Sequence, residues 1–244
     1  MFKKEYEIRF YEIDHKHRLK ASVLINFLQD IAAFHAEKLG FGYSYITPLN
    51  LAWVLLRYKM KIFKWPQNMD KIIIKTWPCE FKKLSCPREF EIFAPNGEKL
   101  AVISSCWVLI DMTTRKPVIA SKVLKDFAHL EKQLLDGCNT KVADLEKIDL
   151  KKEFEIRYDD IDINQHANNA DYITWALEPL GFNFRSEHDI EELQIQYKKE
   201  AMFNDKITSK VDFDKKNLTS LHSIYANSAE NDICRVQIKW KKNI

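Results

Sequence analysis

The octapeptide Glu-Ile-Arg-Phe-Tyr-Glu-Ile-Asp at residues 7–14 returns at residues 155–162 as Glu-Ile-Arg-Tyr-Asp-Asp-Ile-Asp. Five of the eight positions are identical, Phe10 becomes Tyr158 and Glu12 becomes Asp160. An echo at so long a period means that one supersecondary unit occurs twice, which constrains both halves to one plan. The two copies diverge immediately after the echo. The first runs on as His15-Lys16-His17-Arg18, the second as Ile163-Asn164-Gln165-His166-Ala167-Asn168-Asn169. A polar cluster present in only one copy predicts a duplicated fold that keeps its chemistry in the second half.

The order of elements repeats as well. A strand over 3–11 precedes a helix over 21–39, then strand-like runs near 51–65, 70–79, 87–94 and 99–111. A strand near 153–158 precedes a helix over 168–180, then runs near 191–203, 205–213, 219–227 and 232–241. Asp70-Lys71-Ile72 and Asp205-Lys206-Ile207 open equivalent strands, and Trp107 and Trp240 sit in the equivalent last ones. Asn96-Gly97 is a strong hairpin turn signal. In the run from Tyr58 to Phe63, Tyr58, Met60 and Ile62 alternate with Lys59, Lys61 and Phe63. One buried and one wet face mean antiparallel sheets. Helix 21–39 carries a broad apolar stripe, and helix 168–180 is apolar around more of its circumference. A strand, one buried helix and four antiparallel strands describe a sheet curled around a helix. The fold class is therefore α+β: a tandem double hot-dog. Residues 1–120 form the first unit, 121–150 a linker with a helix from Ser121 to Leu135, and 151–244 the second unit. Ser121 is the expected N-cap.

Composition removes several function classes. With 46% hydrophobic and 30% charged residues the chain is globular. A net charge of +3 is too small to argue for nucleic acid. No apolar run approaches the ~20 residues needed to span a bilayer, and no signal-peptide core is apparent at the start. Cys79, Cys86, Cys106, Cys138 and Cys234 are odd in number and lack a CxxC spacing. That pattern predicts a reducing, cytoplasmic setting and no structural zinc.

The chemistry is expected between the second copy's first strand and its helix. Asp162, Asn164 and His166 crowd a strand-to-helix turn, where backbone N–H groups and the positive end of the helix dipole can polarise a carbonyl. A histidine there can move a proton near neutral pH. Asn164 can orient a water or a carbonyl, and Asp162 can fix an imidazole tautomer or act as a base. Simpler roles compete with these. Asn168 or Asn169 is most simply an N-cap, and Asp162 echoes Asp14, so part of its role is structural. His15, His17, His129, His188 and His222 read as solvated, and His35 as a packed or boundary residue.

The stretch Asp160-Ile161-Asp162-Ile163-Asn164-Gln165-His166-Ala167-Asn168-Asn169-Ala170-Asp171-Tyr172-Ile173 resembles the D-x-D-x-N-x-H-x-N-N-x-x-Y-I signature of the acyl-acyl carrier protein thioesterases of plants and bacteria. Trp53-Val54 with Arg57 resembles that family's W-V-x-x-R strand. Ser104-Ser105-Cys106-Trp107-Val108 resembles its S-S-x-W-V strand, and Tyr197-Lys198-Lys199-Glu200 its Y-R-R-E run. The resemblance implies catalytic roles for Asp162, Asn164, His166 and Glu200. It also implies an acyl-chain pocket shaped by the first hot-dog, and no metal or cofactor. Plant members usually place a Cys after that Glu; here the position is Ala201, so a thiol nucleophile is not expected there.

The resulting expectation is hydrolysis of fatty acyl-acyl carrier protein thioesters, with the carrier protein and its phosphopantetheine arm as partner. The alternatives are an acyl-CoA thioesterase and a non-catalytic acyl-binding or sensing module. A carrier protein is acidic, so Lys82, Lys83, Arg88, Lys198 and Lys199 are candidates for a basic patch, although each pair is most simply a solvated strand face. Homodimerisation stays open, because two hot-dogs in one chain already supply the pairing that single ones obtain by dimerising.

Overall fold

The computed structural model describes residues 1–124, 133–139 and 141–243. It divides into two compact units, one of Met1–Lys20 and Asn26–Thr140, the other of Ala21–Ile25 and Lys141–Ile244.

In the first unit, strand β1 (Phe2–Glu7) leads through a 3-10 turn to helix α1 (Ala21–Lys38). A short helix α2 (Tyr43–Ile46) then precedes strands β2 (Leu51–Ile62), β3 (Lys71–Pro78), β4 (Ser85–Phe93) and β5 (Lys99–Asp111). Their antiparallel order is β1-β3-β4-β5-β2. A two-residue strand β6 (Pro117–Val118) adds to β5. The alternation read from the sequence is the one that packs: Tyr58, Met60 and Ile62 are at most 2% exposed, while Lys61 and Phe63 face solvent. Helix α1 buries Leu28, Ile31, Ala32, His35 and Ala36. Its polar side is tied to β1, where Lys4 and the Tyr6 hydroxyl both donate to Asp30 Oδ2, at 2.7 and 2.6 Å. The β4–β5 hairpin turns at Asn96-Gly97, where Gly97 takes φ +88°, a value that L side chains rarely adopt.

Behind this sheet the chain corrects three expectations. The helix predicted from Ser121 to Leu135 is a short α3 (Ala120–Val123) capped at Ile119, with Ser121 inside it. Leu124 leaves helical geometry, at φ −102° and ψ 69°. The part of that prediction from 125 to 132 lies outside the described residues, and residues 133–139 are non-helical. That latter segment lies against β5. A side chain at Gly137 would have its Cβ 2.8 Å from Ser104 Cβ, so only glycine allows the approach. One residue on, Cys138 forms a disulfide with Cys106, with Cα atoms 5.0 Å apart. The cysteines expected to be reduced thus include one bonded pair, because the chain folds back over residues far away in sequence. Cys79, Cys86 and Cys234 are outside any disulfide and are buried.

The third correction is Arg88, a candidate for a surface patch. It is 6% exposed. It points to the helix side of β4, donating to Thr76 Oγ1 at 3.3 Å and lying 3.2 Å from His35 Nδ1. Burial, helped by the Arg88 charge, lowers the His35 pKa to about 4, so the imidazole is neutral and its Nδ1 accepts from Arg88. Glu89 points the other way, to the Ser104 hydroxyl, and burial raises its pKa to about 7.

In the second unit, strand β7 (Leu150–Glu155) leads through a 3-10 turn to helix α4 (Asn169–Leu177) and, after another turn, to α5 (Gly181–Glu187). Strands β8 (His188–Tyr197), β9 (Lys206–Asp214), β10 (Thr219–Ala226) and β11 (Cys234–Lys242) complete it. The antiparallel order is β8-β11-β10-β9-β7. The predicted apolar helix is wrapped as its composition requires: Ala170, Tyr172, Ile173, Trp175, Ala176 and Leu177 are all buried. It packs on β9, β10 and β11. The helix predicted to run to 180 ends at Leu177 and tightens into a 3-10 turn containing Pro179.

Two histidines expected in solvent are inside this unit. His222 is 1% exposed on the inward face of β10, with its Nε2 2.7 Å from the Ser220 hydroxyl, and burial lowers its pKa to about 4. The alternation of β10 points it inward together with Ser220 and Ile224, and Trp240 completes the cluster by donating to Ser220 at 2.8 Å. His188 is 7% exposed, stacked on Phe184 at 4.2 Å. His15 and His17 are exposed as expected, His35 is packed, and His129 lies outside the described residues.

Candidate active site

The two copies of the repeated octapeptide fold alike. In each, an acidic side chain accepts from the backbone N–H three residues before it: Arg9 N to Glu12 at 2.8 Å, and Arg157 N to Asp160 at 2.8 Å. Each copy then makes a turn held by an aspartate. The Asp14 N–H donates to the Arg18 carbonyl at 2.7 Å, and the Asp162 N–H to the His166 carbonyl at 2.8 Å. Both turns place one residue in the left-handed region, His17 at φ 58° and Gln165 at φ 65°. Asp14 Oδ1 accepts from Lys16 N at 2.8 Å, and Asp162 Oδ1 from Asn164 N at 2.8 Å. The shared geometry is a local aspartate turn. Only the side chains displayed on it differ: Lys16 and Arg18 in the first unit, Asn164 and His166 in the second.

Asp162 is accordingly occupied with its own turn. Beyond the backbone bond, its Oδ2 accepts from Asn164 Nδ2 at 3.3 Å. The imidazole faces a different carboxylate. His166 Nε2 lies 3.5 Å from Glu200 Oε2, with the two side chains 25% and 40% exposed. The four residues named from the sequence thus form two contacts, Asp162 with Asn164 and His166 with Glu200, joined through the turn. Asn164 is exposed beside the pair.

The sequence predicts Glu200 near the end of a strand over 191–203. Strand β8 instead ends at Tyr197, and the next residues bend away because Lys198 N and Lys199 N both donate to the Ile233 carbonyl, at 2.9 and 3.1 Å. That bend delivers Glu200 to the start of α4. The Ala167 N–H donates to the Ala201 carbonyl at 2.9 Å, which ties the neighbours of His166 and Glu200 together.

At the helix start several backbone donors have partners within the turn. Asn168 is the N-cap, its Oδ1 accepting from Ala170 N at 2.9 Å. The Asn168 N–H donates to the Asp160 carbonyl at 2.9 Å, and the Asp171 N–H to the Asn168 carbonyl at 2.9 Å. Those groups are committed to folding the turn.

Two further side chains stand at the site, Asp171 and Tyr172, the second being the tyrosine of the signature quoted above. Asp171, in the first turn of α4, has its pKa raised to about 7, first by burial and then by the charge of Asp160, with Arg157 opposing. Its place at the start of an apolar helix, close in sequence to two other aspartates, is the only clue that the residues give. Tyr172 is 2% exposed beneath Glu200. Among the described residues no group of three His, Cys, Asp or Glu side chains is placed to hold a metal ion. Cys234 lies close enough to influence Tyr172, but its thiol is buried and points to the Arg235 carbonyl, and burial raises its pKa well above the ordinary value. Ala201 is fully buried.

Of the surface lysines, Lys198 is held by Asp232 at 2.8 Å, and Lys199 is exposed next to Glu200. Lys82 and Lys83 are exposed in the loop before β4. Among the described residues no helix is long and apolar enough to cross a membrane.

Known proteins share this architecture. The family model for the acyl-ACP thioesterase N-terminal domain matches residues 1–130, and that for the C-terminal domain residues 143–242. Oleoyl-acyl carrier protein thioesterase 1, chloroplastic, of Arabidopsis thaliana is 26% identical over 226 residues, which cover 85% of this chain and 62% of that protein. The chain therefore spans less than two thirds of the length of that curated relative. An acyl-ACP thioesterase from Bacteroides thetaiotaomicron superimposes with a TM-score of 0.87 at 24% identity, covering 98% of this chain and 97% of that one. A 12:0-ACP thioesterase from Umbellularia californica does so at 0.83 and 20% identity, covering 99% and 97%. At such identities the likeness shows the fold, a hot-dog fold in each half.

Proposed function

The chain belongs to the acyl-ACP thioesterase family, and on that premise we propose that it hydrolyses fatty acyl-acyl carrier protein thioesters to free fatty acid and carrier protein. The observation that carries the reading is the His166–Glu200 contact at 3.5 Å, half-buried and close in the chain to an aspartate-held asparagine. A non-catalytic acyl-binding module has no use for a proton-transfer pair, so the enzymatic reading is preferred.

In this mechanism Glu200 accepts from the imidazole Nε2–H. That orientation leaves Nδ1 as the base that takes a proton from the attacking water. The water oxygen bonds to the thioester carbon while the carbonyl oxygen gains negative charge. The Asn164 amide donates to that oxygen, and Asp162 holds the amide in place. When the tetrahedral intermediate collapses, the C–S bond breaks and the imidazolium returns its proton to the departing phosphopantetheine thiolate. Glu200 stabilises the imidazolium between the two steps. The first unit shapes the acyl-chain pocket, and the exposed Lys199 beside Glu200 meets the acidic carrier.

The decisive assay compares acyl carrier protein and CoA thioesters across chain lengths. A higher kcat/KM for the carrier-protein thioesters supports the proposal. Preference for CoA makes the chain an acyl-CoA thioesterase, and binding without hydrolysis of either makes it a sensing module.

A further inference from the structure

Glu200 lies outside the sheet, after β8 has ended at Tyr197 and before β9 begins at Lys206. Strand pairing therefore does not fix where its carboxylate stands. The backbone that carries it opposite His166 is anchored from outside the sheet ladder.

Tyr172 is that anchor. Its ring is buried, packed 4.8 Å from Trp175 and edge-on to Tyr197 at 5.5 Å. Its hydroxyl reaches the backbone on both sides of Glu200, donating to the Lys199 carbonyl at 3.3 Å and accepting from the Ala201 N–H at 2.8 Å. A tyrosine hydroxyl has one proton to give and lone pairs to accept with, and both capacities are used here. Burial raises the Tyr172 pKa far above its ordinary value, so the donor proton is retained at any pH near neutrality. The anchor itself is rigid: Tyr172 belongs to α4, whose cap Asn168 stands just beyond His166. With the Ala167 N–H to Ala201 carbonyl bond, the two halves of the acid–base pair are referenced to one helix end.

We propose that Tyr172 is a positioning residue for the hydrolytic reaction, its hydroxyl bracketing Glu200 and setting its distance from His166. This rests on the catalytic reading of Glu200 and goes beyond it. Misplacement by about 1 Å costs on the order of a hundredfold in rate, so partial loosening is readable in kcat.

The test is a double-mutant cycle on the full chain with an acyl-acyl carrier protein thioester as substrate. Tyr172→Phe removes only the hydroxyl, and Glu200→Gln removes the carboxylate it positions. Tyr172→Phe is expected to lower kcat about tenfold, with KM unchanged within about twofold. In the Glu200→Gln background the same substitution should lower kcat by less than about twofold, because nothing remains to position. A structural role alone would shift the unfolding midpoint and leave kcat untouched well below it. Should Tyr172→Phe not fold, 4-fluorophenylalanine at position 172 fills the hydroxyl's space without its proton and is expected to show the same loss. Wild-type kcat in the variants at position 172 with Glu200 intact, or an equal loss in both backgrounds, overturns the proposal while leaving Glu200 catalytic. Unchanged turnover in Glu200→Gln alone overturns the catalytic reading itself, and the positioning role with it.

Discussion

The imidazole of His166 and the carboxylate of Glu200 face each other at 3.5 Å, although two helices and a full strand of the second unit lie between them in the sequence. The contact exists because the aspartate turn presents His166 on one side, and the bend after Tyr197 brings Glu200 in from the other. Neither segment belongs to regular secondary structure where the two side chains meet, so the pair can accept a substrate edge without disturbing the sheet.

Replacing His166 tests the proton-transfer role. His166→Ala should reduce kcat by roughly a hundredfold to ten-thousandfold, the usual size of general acid–base assistance. Stability should change little, since the side chain is 25% exposed and sits in a turn rather than in the apolar core. His15→Ala, in the corresponding turn of the first unit, is the matched control and should keep wild-type turnover. Near-normal hydrolysis by His166→Ala would end the mechanism while leaving the fold intact.

Thiol chemistry should be dispensable. Burial raises the pKa of Cys86 to about 12 and that of Cys234 well above its ordinary value, which disfavours the nucleophilic thiolate at both. Replacing Cys79, Cys86 and Cys234 together, in a variant shown to be folded, should leave kcat within about threefold of wild type, the scale of packing adjustments rather than of a lost nucleophile. Denatured without reductant, the chain should expose three alkylatable thiols, with Cys106 and Cys138 recovered as one linked peptide pair. Five reactive thiols would refute the disulfide.

Asn168 should matter to stability rather than to chemistry. Its side chain satisfies the Ala170 N–H at the start of α4. Asn168→Ala should lower stability by about 1 kcal/mol, as loss of a cap does, and Asn168→Asp or Asn168→Ser should restore most of it. Chemical denaturation of the three variants decides the matter; an effect on kcat with no change in midpoint would place Asn168 in the reaction instead.

Asp171 makes a prediction about pH. Its folded pKa is raised to about 7, above the unfolded value near 3.9. Between those values the folded state holds a proton that the unfolded state has released. By linkage its contribution to stability is present below about pH 4 and is lost as pH rises through about 7. Asp171→Asn removes that loss. The variant should therefore gain stability relative to wild type on going from pH 4 to pH 8, measured by denaturation midpoints across the range. A difference between the two proteins that does not depend on pH would show that Asp171 titrates normally.

Much of this architecture is legible in the chain itself. The octapeptide echo announces two units of one plan, and the alternation at Tyr58, Met60 and Ile62 announces which sheet face is buried. The all-round apolar character of α4 announces a wrapped helix. These are local signals: a period of two or of 3.6 is written in consecutive residues, and burying the apolar face follows wherever the chain goes. The placing of Asp162, Asn164 and His166 at a strand-to-helix turn is local too, and so is the structural share of Asp162, visible in its echo at Asp14.

Residues that must meet across the fold carry no such signal. Arg88 and His222 look like surface residues in sequence and are buried, because their strand positions point inward and partners from the same sheet, Thr76 and Ser220, receive them. The disulfide between Cys106 and Cys138 depends on a segment folding back over β5, where Gly137 leaves room. The division of labour between the two acids near His166 is likewise hidden: the nearby Asp162 serves its own turn, while the distant Glu200 reaches the imidazole. Sequence patterns record which face a residue prefers, whereas contacts between side chains depend on where separate backbone segments end, and that is determined by the packing of the whole unit.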